Sequence, residues 1–173
     1  MVEEQMTILR NAIGMEIEGK KFFRKVAERA KYPRTKEMFG SLVKQEERHV
    51  RVLEEELDRL QSGKGWIAPS SIKETGASSA PHEVFEGAKT QASAFDPKSG
   101  ELEAIRLGMD IERRSIEYYR RAGDEVGSEE AKRVFNWLVG EEAGHLSILK
   151  AEHDIRSKSG FYFDNPEFSL EVM

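Results

Sequence analysis

The sequence predicts an all-α protein, a four-helix bundle made of two helical hairpins joined by a long crossover. Three observations carry that expectation. Apolar residues recur in alternating steps of three and four along four separate stretches, the period of a helix that buries one face. Short breaks at Lys31-Tyr32-Pro33 and around Gly127-Ser128 divide the first stretch from the second and the third from the fourth, whereas residues 63 to about 98, rich in Ser, Gly, Ala, Pro and Thr, divide the second from the third. Finally, Glu16, Glu46 and His49 recur as Glu112, Glu142 and His145, and the differences 112−16, 142−46 and 145−49 all equal 96. The chain is two copies of one hairpin.

Helix one is predicted from about residue 3 to about 31, with an inward seam of Leu9, Ala12/Ile13, Glu16, Gly19, Phe23, Val26/Ala27 and Ala30. It stops where Pro33 disfavours helical backbone in the residue before it. Helix two follows from about 34 to 61, with a seam of Phe39, Leu42, Glu46, His49, Leu53, Glu56/Leu57 and Leu60, and ends at Ser62-Gly63-Lys64-Gly65, a glycine-rich C-terminal signal. The crossover holds one short helical candidate, Pro81 to Gln91. Helix three spans about 98 to 123, with Ile105, Gly108, Glu112, Ser115/Ile116, Tyr119 and Ala122 inward. Helix four opens with Ser128 as N-cap and Glu129 and Glu130 in its first turn. It runs to about 157 with a seam of Phe135, Leu138, Glu142, His145 and Leu149.

Helix geometry tests whether the repeat can build one site. Glu16 lies 15 residues before the first turn and Glu46 about 12 after it, so at ~1.5 Å per residue both lie roughly 18–22 Å from that turn. The second hairpin obeys the same arithmetic. The crossover reaches across a ~40 Å helix because extended chain covers ~3.3 Å per residue. All six side chains are therefore expected to meet at mid-bundle.

With 173 residues the chain is read as one domain, a bundle over 1–157 followed by an aromatic tail over 158–173. A net charge of −5 argues against nucleic acid or an anionic membrane as a partner. The sequence contains no cysteine, so disulfides, thiolate metal sites and iron–sulfur or rubredoxin-type centres on this chain are excluded. The opening Met-Val-Glu-Glu-Gln-Met-Thr has no signal-peptide character, and no long uncharged apolar stretch occurs. The expected location is the cytoplasm.

A single E-x-x-H on so charged a chain arises by chance on a solvated face, a lone buried His is commonly a hydrogen-bonded core residue, and a lone buried Glu commonly pairs with Arg. Here both E-x-x-H pairs lie on the seam, and each single glutamate lies in the same kind of stripe. A carboxylate buried without a partner is expensive enough to be protonated or moved, so four of them call for cations. Glu16, Glu46, His49, Glu112, Glu142 and His145 are the candidate metal ligands. His82 in the crossover and His153 near the end of helix four are read as structural or exposed. Phe23 and Tyr119, each seven residues after its glutamate, are read as core aromatics, with a one-electron relay at Tyr119 as the minor alternative. Phe161, Tyr162, Phe163 and Phe168 of the tail are expected to dock either on the end of their own bundle or on a second subunit, with Trp66, Ile67 and Phe85 of the crossover as the other contributor, and a homodimer is the favoured reading.

Two single glutamates plus two E-x-x-H pairs on four helices form the general pattern of dinuclear carboxylate bundles. Through Glu16-Ile-Glu-Gly-Lys-Lys-Phe-Phe23, Glu112-Arg-Arg-Ser-Ile-Glu-Tyr-Tyr119 and the two E-x-x-H motifs, the chain resembles the rubrerythrin-related branch of the ferritin-like superfamily. The resemblance implies a ferritin-like fold and two iron ions, with Glu46 and Glu142 bridging and Glu16 with His49, and Glu112 with His145, completing terminal positions. A ligand set of carboxylates and imidazoles also suits manganese or zinc. The implied activity is reduction of hydrogen peroxide or dioxygen with electrons from an external donor such as rubredoxin or a flavoprotein. A ferroxidase, a manganese-catalase-like enzyme, and a non-catalytic iron- or zinc-binding protein for storage or sensing are the alternatives. Met109 stands where rubrerythrins carry an additional glutamate.

Overall fold

A computed structural model describes residues 2–67 and 100–157, together with the backbone of 161–162 and 165–166. The crossover from 68 to 99, including Pro81–Gln91, His82 and Phe85, and the aromatic side chains of the tail lie outside the described residues. Among the described residues four helices make up the architecture: α1 (Val2–Arg29), α2 (Pro33–Gln61), α3 (Glu101–Glu125) and α4 (Glu129–Ser157). After them, β1 (Phe161–Tyr162) and β2 (Asn165–Pro166) pair antiparallel, Phe161 opposite Pro166. The closest packing is within the α1–α2 and α3–α4 hairpins, as two short turns require. No described helix is long and apolar enough to cross a membrane.

Local chemistry sets each end. Tyr32 is extended and Pro33 opens α2, a position where its missing N–H costs nothing and its fixed φ suits a helix; the proline thus starts α2 as well as stopping α1. At the other end of α2, Gly63 adopts φ 69°. Its N–H donates to Leu60 O at 3.1 Å and Lys64 N–H donates to Arg59 O at 2.9 Å, the two bonds of a Schellman ending. Gly127 at φ 65° turns the chain from α3 into α4, and Ser128 Oγ accepts from Ala131 N–H at 3.4 Å.

The inward seams are buried as their period predicts, apart from Ala27 and Ala30, which are half-buried at the frayed end of α1. They form two apolar clusters. One, near the α3–α4 turn, holds Leu9, Ile13, Leu53, Leu57, Phe135 and Leu138 among others. The other, near the α1–α2 turn, holds Phe22, Phe23, Phe39, Leu42, Ile105 and Leu149. Met109 belongs to this second cluster. At about 1.5–3 kcal/mol for each large apolar side chain removed from water, these clusters supply the bulk of the driving force.

A polar clamp closes the α1–α2 end. Glu152 accepts from Thr35 Oγ1 at 2.9 Å and Arg156 Nε at 3.0 Å, and pairs with Arg34 at 3.1 Å. Arg156 also bonds the Thr35 hydroxyl, pairs with Glu101 at 3.4 Å and stacks over Tyr32. Glu101 in turn accepts from the backbone N–H groups of Lys31 and Tyr32. The turn of one hairpin is thereby tied to both helices of the other. At the opposite end Gln5 Nε2 donates to Val126 O at 2.7 Å.

The start of the crossover folds back on α2, where the Glu56 carboxylate accepts from Ile67 N–H at 3.2 and 3.3 Å. Glu56 is fully buried, and burial pushes its carboxyl from 4.5 up to about 7. Between those two values the folded chain holds a proton that the unfolded chain releases, so stability falls as pH rises through this window and levels off above it. In Glu56→Gln that dependence should vanish, so that the metal-free variant gains about 1–3 kcal/mol relative to its parent between pH 5 and pH 8. Urea unfolding at several pH values measures this; parallel curves for the two proteins would refute it.

Candidate metal centre

Between the two apolar clusters lies a single polar layer, to which each helix contributes from its mid-seam. α1 brings Glu16, α2 brings Glu46 and His49 one turn apart, α3 brings Glu112, and α4 brings Glu142 and His145. All six are at most 3% exposed. The structure thus brings together every candidate ligand read from the repeat.

The layer resolves into two overlapping groups whose ligand atoms converge within 4.8 Å: Glu16, Glu46, His49 and Glu142, and Glu46, Glu112, Glu142 and His145. Glu46 and Glu142 belong to both. Glu142 turns Oε1 to His49 Nδ1 at 3.0 Å and Oε2 to His145 Nδ1 at 3.0 Å. Glu46 likewise turns Oε1 to His145 Nδ1 at 3.1 Å and Oε2 to His49 Nδ1 at 3.8 Å. The terminal carboxylates approach one imidazole each, Glu16 to His49 at 3.3 Å and Glu112 to His145 at 3.4 Å. The two imidazoles stack with centroids 5.3 Å apart.

These contacts are short, yet most are poorly aligned as hydrogen bonds. Both oxygens of Glu142, one each of Glu46 and Glu112, and both ring nitrogens of His145 are buried with no hydrogen-bond partner among the described residues. Buried polar atoms are almost always satisfied, and here the unsatisfied carboxylate oxygens and His145 Nδ1 face one another within the two convergent groups. A donor set of four carboxylates and two imidazoles fits a pair of divalent cations, whose four positive charges would balance it.

Without metal, protons must do the balancing. Burial, reinforced by the charge of Glu46, pushes Glu16 up to about 8. Burial and the charge of Glu142 raise Glu112 well above the usual carboxylate range. Burial also acts to raise Glu46 and Glu142, but the short contacts with neighbouring acids and imidazoles hold both below their ordinary value. For His145 burial opposes the proton, yet Glu112, Glu142 and Glu46 push it up to about 12. Against the same opposition Glu142, Glu16 and Glu46 raise His49 further. The metal-free layer at neutral pH therefore carries two acids, two carboxylates and two imidazolium rings, and is neutral.

Tyr119 does more than fill the core. It is fully buried, stacks on Phe135, and its hydroxyl donates to Glu16 Oε1; burial and the nearby carboxylates raise its pKa well above the ordinary value. Its hydroxyl therefore stays a donor. Sequence reasoning missed Glu141, whose Oε2 lies 3.6 Å from His49 Nε2, because position 141 lies beside the seam rather than on it. His153 takes no part: it accepts from Arg106 Nε at 3.2 Å on the outside of the bundle.

Comparison with known proteins agrees with this geometry. No curated protein matches the chain at a significant level. Among solved structures, a hypothetical protein from Pyrococcus furiosus is similar at 23% identity and TM-score 0.64, covering 91% of this chain and 93% of that one. A second, described as a dodecameric thioferritin and the bacterioferritin-related protein of Bacteroides fragilis, is similar at 16% identity and TM-score 0.68, covering 93% and 92%. At these identities they establish the ferritin-like fold. Residues 7–153 match the rubrerythrin family, a span that contains all four helices' contributions to the polar layer, and the chain belongs to that family.

Proposed function

We propose that this protein is a di-iron carboxylate oxidoreductase that reduces hydrogen peroxide or dioxygen with electrons from a separate donor. The observation that carries the reading is the sharing of Glu46 and Glu142 between two otherwise separate ligand groups, an arrangement suited to two cations held side by side. Glu16 with His49 and Glu112 with His145 would complete the two positions. Held by these residues, two ferrous ions would supply two electrons together and become ferric, enough to convert H2O2 and two protons to two waters without release of a one-electron radical. The chain fixes the ligands on rigid helices, excludes bulk water by the apolar clusters above and below, and holds Glu16 through the Tyr119 hydroxyl. With no cysteine on the chain, the reducing electrons come from elsewhere, as from a rubredoxin or a flavoprotein. We further propose that the bundle domain extends over 1–157 and that the chain associates at least as a homodimer; the bacterioferritin-related neighbour is described as dodecameric.

Anaerobic loading of metal-free protein with ferrous iron should reach close to two ions per chain, and peroxide should then oxidise the centre faster than air does. Optical spectra after each addition decide this: inertness to both oxidants would leave a storage or sensing protein, and continued oxidation of excess ferrous iron in air would favour a ferroxidase. His49→Ala and His145→Ala should each lower the metal ratio towards one. An unchanged ratio would show that the histidines are not ligands.

Because two divalent cations replace the protons that neutralise the metal-free layer, loading at pH 7 should release close to four protons per chain. Affinity should accordingly rise with pH, steeply up to about 8, where Glu16 loses its proton, and further above that as the imidazoles do. Calorimetric titration in buffers of different ionisation enthalpy counts the protons; a release near zero would contradict the protonation pattern of the layer.

A further inference from the structure

The six candidate ligands obey the 96-residue repeat, but their immediate neighbours do not. One residue before Glu142 stands Glu141, and the corresponding residue before Glu46 is Gln45. Seven residues after Glu112 stands Tyr119, and the residue corresponding to it after Glu16 is Phe23. Both departures act on the same half of the layer. The Tyr119 hydroxyl donates to Glu16, and the Glu141 carboxylate faces His49.

The geometry at His49 gives Glu141 a role. Nδ1 faces the carboxylates of Glu16, Glu46 and Glu142, so a metal held by this group would take Nδ1 and leave the proton on Nε2. Nε2 belongs to a residue with no exposure and has no hydrogen-bond partner among the described residues. The one described carboxylate near it is Glu141, at 3.6 Å, a few tenths of an ångström from a hydrogen bond. The carboxylate is braced for that approach: Arg48 pairs with it at 3.4 Å while lying over the Trp137 ring, and the same ring meets His49 edge-on at 5.4 Å. On the other half, Gln45 donates to Ser41 Oγ at 3.5 Å along its own helix, and no described carboxylate faces His145 Nε2.

We infer that Glu141 is a positioning residue for His49, and that through it the Glu16–His49 position is the tighter of the two for a divalent cation. The inference rests on the reading that the six residues hold two metals. A carboxylate on the far nitrogen fixes the ring's orientation and tautomer and makes the ligating nitrogen more basic, and loss of such a partner typically weakens metal binding about 10–100-fold. Gln45 is uncharged and offers the His145 half no such partner.

Titration of the full-length, metal-free protein with Co2+ tests this, followed by calorimetry and by the cobalt absorption bands that report coordination. The parent protein should bind in two resolved steps, about tenfold or more apart. Glu141→Gln should weaken the first step about 10–100-fold, shift its cobalt bands and leave the second step in place, with the metal-free melting temperature unchanged. Gln45→Glu should tighten the second step. In a His49→Ala background, Glu141→Gln should have no further effect on the remaining step. Two equal steps in the parent that Glu141→Gln leaves unmoved, or a loss that persists in the His49→Ala background, would overturn the inference while leaving two-metal binding intact. Absence of any cobalt binding by the parent would instead defeat the reading beneath it.

Discussion

Everything in this bundle is arranged around the burial of four carboxylates and two imidazoles in one layer. Six ionisable side chains at most 3% exposed would be ruinous to a small domain if each had to bear its own desolvation. They are tolerated because positive charge is available at the same level. In the absence of metal it is supplied by protons, favoured on Glu16 and Glu112 by burial and the charge of neighbouring carboxylates, and on both histidines by those carboxylates against burial. With cations in place the same neutrality would be reached without those protons. Metal affinity and protonation are therefore two descriptions of one electrostatic requirement.

That requirement explains how the core is divided. The apolar seams do not run uninterrupted; they form one cluster towards the α3–α4 turn and another towards the α1–α2 turn. Each cluster seals one face of the polar layer against water, which strengthens every interaction within it. The ends of the bundle are closed by different means. The Glu152–Thr35–Arg156–Glu101 clamp fixes one hairpin to the other at the α1–α2 end, and Gln5 reaches the last turn of α3 at the other. These ties oppose sliding of one hairpin along the other, which favours a common level for the six mid-bundle side chains.

Repetition supplies the candidate ligands, and divergence makes their surroundings unequal. Each hairpin contributes one single glutamate and one E-x-x-H pair, which gives two similar ligand groups related by the exchange of hairpins. Tyr119 opposite Phe23, and Glu141 opposite Gln45, break that equivalence in the same direction. Met109 adds an apolar contact in the second cluster, so the Glu112 side of the layer has no extra carboxylate one turn away on its own helix.

Periodicity and chain chemistry alone determined the four helices, their turns and the six residues of the layer. Each is a local property: an apolar stripe at steps of three and four, a proline or glycine with fixed backbone preferences, a motif repeated at one offset. Pro33 shows the limit of even these signals, since it marks both the end of α1 and the first residue of α2. Tertiary structure decided what depends on side chains from different helices meeting. That Phe22, beside the seam position Phe23, is core, that Glu152 and Thr35 are buried partners 117 residues apart, and that Glu141 beside the seam of α4 lies near His49 on α2 follow from interhelical distances and rotamers. The six residues of the layer were legible because burial of charge must be offset within the seam itself. Which oxygen faces which imidazole, and which half of the layer has outer partners, was not legible, because a helix stripe specifies a direction and only packing sets the distance.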